Sequence, residues 1–433
     1  MFNTLIIPGS QNSDRATYFA KNSNRETGEC QMVVVLPPVE NDPATRLRCT
    51  HTKIPQESNR HGIILCKPWW TWGGEMGVND KGVVIGTAQM RTKDVEQGES
   101  LLALDLVRLG LERGNSAEDA LDVLVSMLHL HGQAGSNSRV SENRRYNSAF
   151  LIADHAHAWL LETAGRHWVA RKVDSRMALS RLPTIGTDYT HSSYAVEQYS
   201  EVKGWHNPEN KFNFRKVFGK RSKGVTARYL RRVDEIVNTF LSGGNSQTTI
   251  NLMEALRYRL KPDNRKISRQ DVSRFNRGQL SRTQTNGSMV VRLTAHRIAC
   301  FVTGTAAPEY SLFKPIYFDQ ALEPDPGDAD LSKYSEDSRW WKHQQFLYAL
   351  ATEASLPSAY LRERGAMERD MVHDILENKG GKLTGIREQI QENFRLWERN
   401  WFEKTDRPRG LFAEISPSLR KWKRMSREFS VPI

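Results

Sequence analysis

The order of sequence patterns predicts an α+β protein in which helices cover antiparallel sheets, followed by a helical C-terminal region. Three observations carry this. The first hundred residues are short β-rich runs broken by turn residues, two amphipathic helical stretches follow, and strands resume from Ser148. Beyond Pro326 the patterning is helical as far as Trp422. No repeat or low-complexity linker interrupts the 433 residues, so one compact body is expected. Its parts are a main domain over 1–325, with a basic insert at about 205–285, and a helical region over 326–433 that packs on the domain or extends it.

Each element has a local reason. Met1 to Pro8 holds a short apolar run without a basic leader, which reads as a strand and not as a signal peptide. Met32 to Leu36 is a β-rich run stopped by Pro37-Pro38; His61 to Cys66 is a second, stopped at Pro68. Gly82 to Gly86 is a third, after the turn signal Asn79-Asp80-Lys81. From Leu101 to Arg113 apolar residues recur at helical spacing, at Leu102, Leu106 and Leu109. Gly114 marks the stop, and Ser116 offers an N-cap to a second helix carrying Ala120, Leu121, Leu124, Val125 and Leu128 on one face. Ser148 to Ala153 and Ala158 to Glu162 form a hairpin, and His167 to Val173 continues the meander. After a basic middle of helices and loops, strands return near Gly287–Val291 and Ile298–Thr303. Trp340-Trp341 opens the first helix of the tail.

Composition narrows the class. A mean hydropathy of −0.60 and 38% hydrophobic residues describe a soluble protein, and no run approaches the ~18 apolar residues of a membrane span. Cys30, Cys49, Cys66 and Cys300 are widely spaced without a CxxC pair, which argues for reduced thiols in a cytoplasmic protein. The pairs His129/His131 and His155/His157 have no third or fourth ligand nearby, so no metal or other cofactor is expected. The net charge of +12 is concentrated between Lys203 and Arg297. One burst runs from Lys211 to Arg232 and a second from Arg257 to Arg282. This basic segment, 205–297, is either a solvated surface or a site for an acidic ligand or nucleic acid. It carries no zinc finger, RRM-type aromatic motif or Gly-rich phosphate loop.

Several phrases are more specific. Lys67 to Asn79 reads K-P-W-W-T-W-G-G-E-M-G-V-N, and Leu106 to Gly114 reads L-V-R-L-G-L-E-R-G, followed by His131-Gly132-Gln133. Trp159 to Thr163, Phe212-Asn213-Phe214, Phe301 to Thr305, Leu312 to Pro315 and Trp340 to His343 follow in order. Together these resemble the secernin/peptidase C69 dipeptidases, a family of N-terminal-nucleophile (Ntn) hydrolases, over roughly residues 2 to 350. The resemblance implies a four-layer αββα sandwich, with a helical C-terminal extension here, and cysteine-dependent dipeptide or amide hydrolysis without a metal. It also makes a homo- or hetero-oligomer plausible.

In such chemistry the first residue of the mature chain supplies both the nucleophile and, through its α-amine, the base. An Asp and an Arg orient the pair, and asparagine amides stabilise the oxyanion. The family's opening C-D-T-x-V stands here as Phe2-Asn3-Thr4-Leu5-Ile6, which puts Phe2 at the cysteine's position. Its G-K-N-S-D-R stands as Ala20-Lys21-Asn22-Ser23-Asn24-Arg25, with Asn24 for the aspartate. Thr87 in Ile85-Gly86-Thr87 and Arg181 in Leu179-Ser180-Arg181 fall where the family places asparagines. The resemblance therefore implies a family fold altered at four site positions: a pseudoenzyme acting through a protein partner, an active paralogue or an acidic ligand. Arg181 either puts positive charge in the old pocket or fills a vacated space.

Two alternatives stand beside it. Cleavage before Thr4 exposes a threonine with a free α-amine, and Ser10 is a poorer candidate; a two-residue shift moves the side chain by roughly 7 Å. Cys30 and Cys66 read as core. The second alternative is a nucleic-acid or ribonucleoprotein factor using the basic segment. Trp70 and Trp72, on one face of an expected strand, are pocket or core residues, and Arg25 and Glu75 are candidates for a pair.

Overall fold

A computed structural model describes residues 4–179, 181–220, 246–259, 272–273, 283–319, 330–352, 358–377, 383–405 and 427–431. The N-terminal half is mostly strand: β1 (Thr4–Ile7), β2 (Thr17–Glu26), β3 (Gln31–Leu36), then the short β4 (Val39–Glu40), β5 (Arg46–Arg48), β6 (Lys53–Pro55) and β7 (Asn59–Arg60). β8 (Ile63–Pro68), β9 (Met76–Asn79) and β10 (Val84–Met90) follow, then α1 (Ala103–Arg113) and α2 (Ala117–His131). Next come β11 (Asn147–Ala153), β12 (Ala158–Ala164), β13 (His167–Lys172), β14 (Met177–Ala178), β15 (His191–Ser192), α3 (Val196–Val202), α4 (Phe214–Phe218) and α5 (Ser246–Arg257). The chain continues with β16 (Thr283–Thr294), β17 (Arg297–Val302), β18 (Lys314–Ile316), α6 (Arg339–Thr352), α7 (Ser358–Glu377) and α8 (Leu383–Thr405). The strand expected near Gly287–Val291 is thus longer, because β16 runs antiparallel along most of β2 with a bulge between Thr285 and Gly287.

Two antiparallel sheets carry the fold: six strands in the order β14-β1-β2-β16-β17-β18, and eight in the order β15-β13-β12-β11-β10-β9-β8-β3. Strand alternation sorts their side chains into layers. Ile6, Phe19, Met289, Val291 and Val302 of the first sheet meet Ile64, Met76, Val84, Leu151 and Leu160 of the second in one buried cluster between them. The opposite face of the eight-stranded sheet, with Ile85, Phe150, Ile152 and Leu161, packs on Leu106, Leu109, Leu121 and Leu124 of α1 and α2. The opposite face of the six-stranded sheet, with Leu5, Ile7, Tyr18 and Ala20, is covered by α5, α7 and α8 through Leu252, Met371, Ile375 and Phe394. These are the four layers of an αββα sandwich. Each fully buried aliphatic or aromatic side chain contributes about 1.5–3 kcal/mol, so the layer assignment follows from where the apolar parity falls.

Two polar devices fix the frame. Ser116 caps α2 by accepting the Asp119 N–H at 3.1 Å. Asn79 donates to the Leu111 and Gly114 carbonyls (2.9 and 2.7 Å) and accepts from the Lys81 and Val83 amides (3.1 and 2.8 Å), locking the β9–β10 turn to the end of α1. Buried ion pairs tie in the C-terminal helices: Arg257 of α5 with Glu368 of α7 at 2.6 Å, and Lys314 of β18 with Glu398 of α8 at 3.1 Å. Among the described residues no helix is long and apolar enough to cross a membrane.

Candidate functional site

Between the sheets the hydrocarbon gives way at one end to charge. Lys21 and Arg25 stand four residues apart on β2, on the face that carries Phe19, and both reach Glu75, which precedes β9. Lys21 is fully buried; its Nζ lies 3.2 Å from Glu75 Oε2 and donates to the Asn22 carbonyl at 3.3 Å. The close approach needs Gly86 on β10, where an added Cβ would stand 2.5 Å from the Phe19 ring and 2.9 Å from Lys21 Cδ. Glu75 itself is held in the second sheet, its N–H donating to the Cys66 carbonyl (2.9 Å) and its carbonyl accepting from Thr87 N–H (3.1 Å).

Arg25 completes the group. It lies 3.3 Å from Glu75 Oε1, and it donates from Nε and Nη2 to the two carboxylate oxygens of Glu29, at 3.0 and 2.7 Å. Nη2 also donates to the Asn137 carbonyl at 2.9 Å. Glu29, in the β2–β3 turn, accepts the Trp70 indole N–H at 2.6 Å. Asn137 belongs to the Gly132–Tyr146 segment, which Ser138 and Arg144 fasten to Glu26 (2.7 and 2.6 Å).

Two cations thus face two carboxylates in a water-poor space. Burial pulls the Lys21 ammonium below its ordinary value, against the pull of Glu75. Burial opposes the Arg25 charge as well, but Glu29, Tyr146 and Glu75 more than offset it and hold the guanidinium firmly protonated. Each charge of the set is matched by an opposite one, and removing a carboxylate leaves a buried cation in excess. Ser23, between Lys21 and Arg25 in sequence, has a buried hydroxyl with no hydrogen-bond partner among the described residues, so no base activates it.

The expected pairing of Arg25 with Glu75 is present, and Trp70 joins them through Glu29. Other expectations need correction. Trp70 and Trp72 do not lie on a strand: β8 ends at Pro68, and residues 69–75 form a loop fastened to the start of α1 by Gly73 N–H to Asp105 Oδ1 (3.2 Å) and Gly74 N–H to the Leu104 carbonyl (3.0 Å). The two indoles diverge, and Trp72 stacks under the Arg108 guanidinium, 4.2 Å from its ring centroid, against the α1 layer. Thr87 shares the parity of Ile85, which packs on the helices, so its side chain lies on the far face of the second sheet; its hydroxyl donates to the Ala149 carbonyl at 3.2 Å. Asn24 shares the parity of Asn22, whose amide donates to the Leu256 carbonyl of α5 at 2.8 Å, and its Oδ1 accepts from Thr285 Oγ1 at 2.6 Å. Arg181 is half-buried against β10, hydrogen-bonded to Gln89, in a crossover that Glu162 anchors through the Thr184 and Ile185 amides (2.7 and 3.0 Å). Asn24, Thr87 and Arg181 are therefore not gathered around one point, and Phe2 lies outside the described residues.

Thr4 is fully buried in β1 opposite Lys21, with its carbonyl accepting from Leu179 N–H at 2.9 Å; Ser10 sits in an exposed turn of 3-10 helix. All four cysteines are buried and unpaired, and burial pushes the Cys30, Cys49 and Cys66 thiols up to about 12, which removes them as nucleophiles at neutral pH. The basic segment is only partly a surface. Lys211, Arg215, Lys216 and Lys220 are exposed around α4, whereas Arg257 is buried between Glu254 and Glu368; residues 221–245, 260–271 and 274–282 lie outside the described residues. Sequence reasoning missed Lys21, Glu29 and the Asn137 carbonyl. The readable signal for Lys21 was its place in Phe19-x-Lys21-x-Ser23-x-Arg25, an inward-facing alternation on a strand that is buried on both faces.

Residues 79–287 match the sequence profile of peptidase family C69, which bears out the family resemblance read from the motifs. The matched segment begins after β2, so the alignment of Phe2 and Asn24 stands on the quoted N-terminal phrases. Similar solved structures include penicillin V acylase from Agrobacterium tumefaciens, 12% identical with a TM-score of 0.41 over 77% of this chain and 89% of that one. Conjugated bile acid hydrolase from Clostridium perfringens is 11% identical, with a TM-score of 0.42 over 77% of this chain and 95% of that one.

Proposed function

We propose that this C69-like chain has lost the hydrolytic chemistry of its relatives and uses the fold for binding. The observation that carries the reading is Asn24. Where the family phrase has an aspartate, a neutral amide stands, turned toward the α5 side and accepting from Thr285. It cannot supply the negative charge that orients the α-amine acting as base. Phe2, at the nucleophile's place in the same alignment, has no nucleophilic atom. The inward cluster supports the reading further, because Lys21, Arg25, Glu29 and Glu75 match one another's charge. Thr4 as a substitute nucleophile loses support from its full burial inside the β1–β2 ladder.

The partner is a protein, such as an active paralogue, or an acidic ligand met by exposed Lys211, Arg215, Lys216 and Lys220. A nucleic acid is the alternative, and a binding constant falling steeply with salt would favour it. Four buried, unpaired thiols suit a reducing cytoplasm. The test is restoration. Phe2→Cys alone is expected to recover no hydrolysis of dipeptides or acyl amides, because Asn24 still lacks the charge. Substantial turnover in that variant overturns the reading.

A further inference from the structure

The last described residues of the chain return to the turn that positions Glu29. Arg427–Phe429 form a single helical turn, and Ser430 then takes a left-handed φ of 56°, costly for a residue with a side chain. That reversal lets Phe429 and Val431 enter the same apolar cluster while Arg427, Glu428 and Ser430 stay exposed. Val431 is 3% exposed. The cluster also holds Cys30, Tyr310, Trp340 and Trp341, and the Phe429 ring lies 5.7 Å from that of Trp341. A backbone bond closes the arrangement, Tyr334 N–H to the Phe429 carbonyl at 2.7 Å.

The seat is cut to this occupant. Gly28, at φ +84° in the β2–β3 turn, faces the Phe429 ring so closely that an added Cβ would stand 2.3 Å from Cζ. Its neighbour Glu29 is the residue that bonds Arg25 twice and Trp70 once. The aromatic ring therefore braces the outside of a turn whose inside holds the buried charges.

We propose that Phe429–Val431 is a docked C-terminal plug, and that Gly28, Cys30, Tyr334 and Trp341 form a seat for a peptide of aromatic-x-aliphatic chemistry. The plug holds the 27–30 turn closed over Cys30 and in register with Arg25. This docking does not depend on hydrolytic activity.

The experiment reads thiol exposure. In the full chain all four cysteines are expected to resist a maleimide reagent. A chain ending at Ser426 is expected to label at Cys30 at least about tenfold faster, since local opening sets the rate, while Cys66 and Cys300, inside the inter-sheet core, stay protected and report an intact fold. Adding the heptapeptide Arg427–Ile433 in trans restores protection of Cys30, and the same peptide with Phe429→Ala does not. Phe429→Ala in the full-length chain is a second route, with the same selective rise at Cys30 should the shortened chain fail to fold. Unchanged Cys30 protection in either variant overturns the proposal, as does equal rescue by the two peptides.

Discussion

Replacing Glu75 by Gln keeps the shape of the side chain and removes the charge that both β2 cations share. The two partners are not equally exposed to the loss. Arg25 retains Glu29 through contacts of 3.0 and 2.7 Å, but Lys21 keeps only the Asn22 carbonyl at 3.3 Å among its contacts described above. Breaking a buried pair by removing one partner costs about 3–5 kcal/mol. With Arg25 still compensated, Glu75→Gln is expected to cost about 3 kcal/mol at pH 7, read as a shifted urea midpoint by tryptophan fluorescence. The pH dependence follows from Lys21. Its folded pKa lies below the ordinary 10.5, and lower still without Glu75, so the unfolded chain binds more protons and stability rises with pH up to that value. The deficit of the variant is therefore expected to shrink between pH 7 and pH 10. Adding Lys21→Met removes the orphaned ion and is expected to recover about 2 kcal/mol or more, a coupling that independent sites do not show. A single-variant loss under about 1 kcal/mol, or a double variant no better than the single one, refutes the buried-pair argument.

Two further outcomes concern the helical region. Glu368→Gln removes the buried charge beside Arg257 and leaves it with the partly exposed Glu254; it is expected to cost about 3 kcal/mol and to speed proteolytic release of α7 and α8. His343 is buried against Ser311 Oγ (3.2 Å), and burial lowers its pKa from 6.5 to about 3. The unfolded chain then binds the extra proton, so stability falls as pH drops below 6.5. The loss from this group is expected to be about 2 kcal/mol by pH 5, and His343→Gln should flatten that slope in urea titrations at pH 7, 6 and 5.

Much of the fold was legible because apolar parity states which face each strand buries. The hairpin at Ser148–Glu162, the α1–α2 pair with its Ser116 cap and the helix opening at Trp340-Trp341 all follow from short-range pattern and turn chemistry. The tryptophan phrase misled because alternation was extended past Pro68, where Thr71, Gly73 and Gly74 make a loop that splits Trp70 from Trp72. Thr87 and Asn24 mark a different limit. A motif gives position along a strand, and facing depends on the parity of neighbours such as Ile85 and Asn22. Lys21 escaped notice because a lysine is almost never fully buried unless paired, and its partner Glu75 lies 54 residues away in sequence, across the gap between two sheets. Arg257 illustrates the same limit: counted as surface charge, it is interior because Glu368, more than a hundred residues on, meets it.

The proposed loss of hydrolysis is decided by turnover of the purified chain of defined N-terminus. Intact mass fixes the first residue, and the same sample is offered a panel of dipeptides and acyl amides. The expected result is a mass beginning at Met1 and no hydrolysis above the uncatalysed background. A mature chain beginning at Thr4, or turnover that Thr4→Ala abolishes, contradicts it.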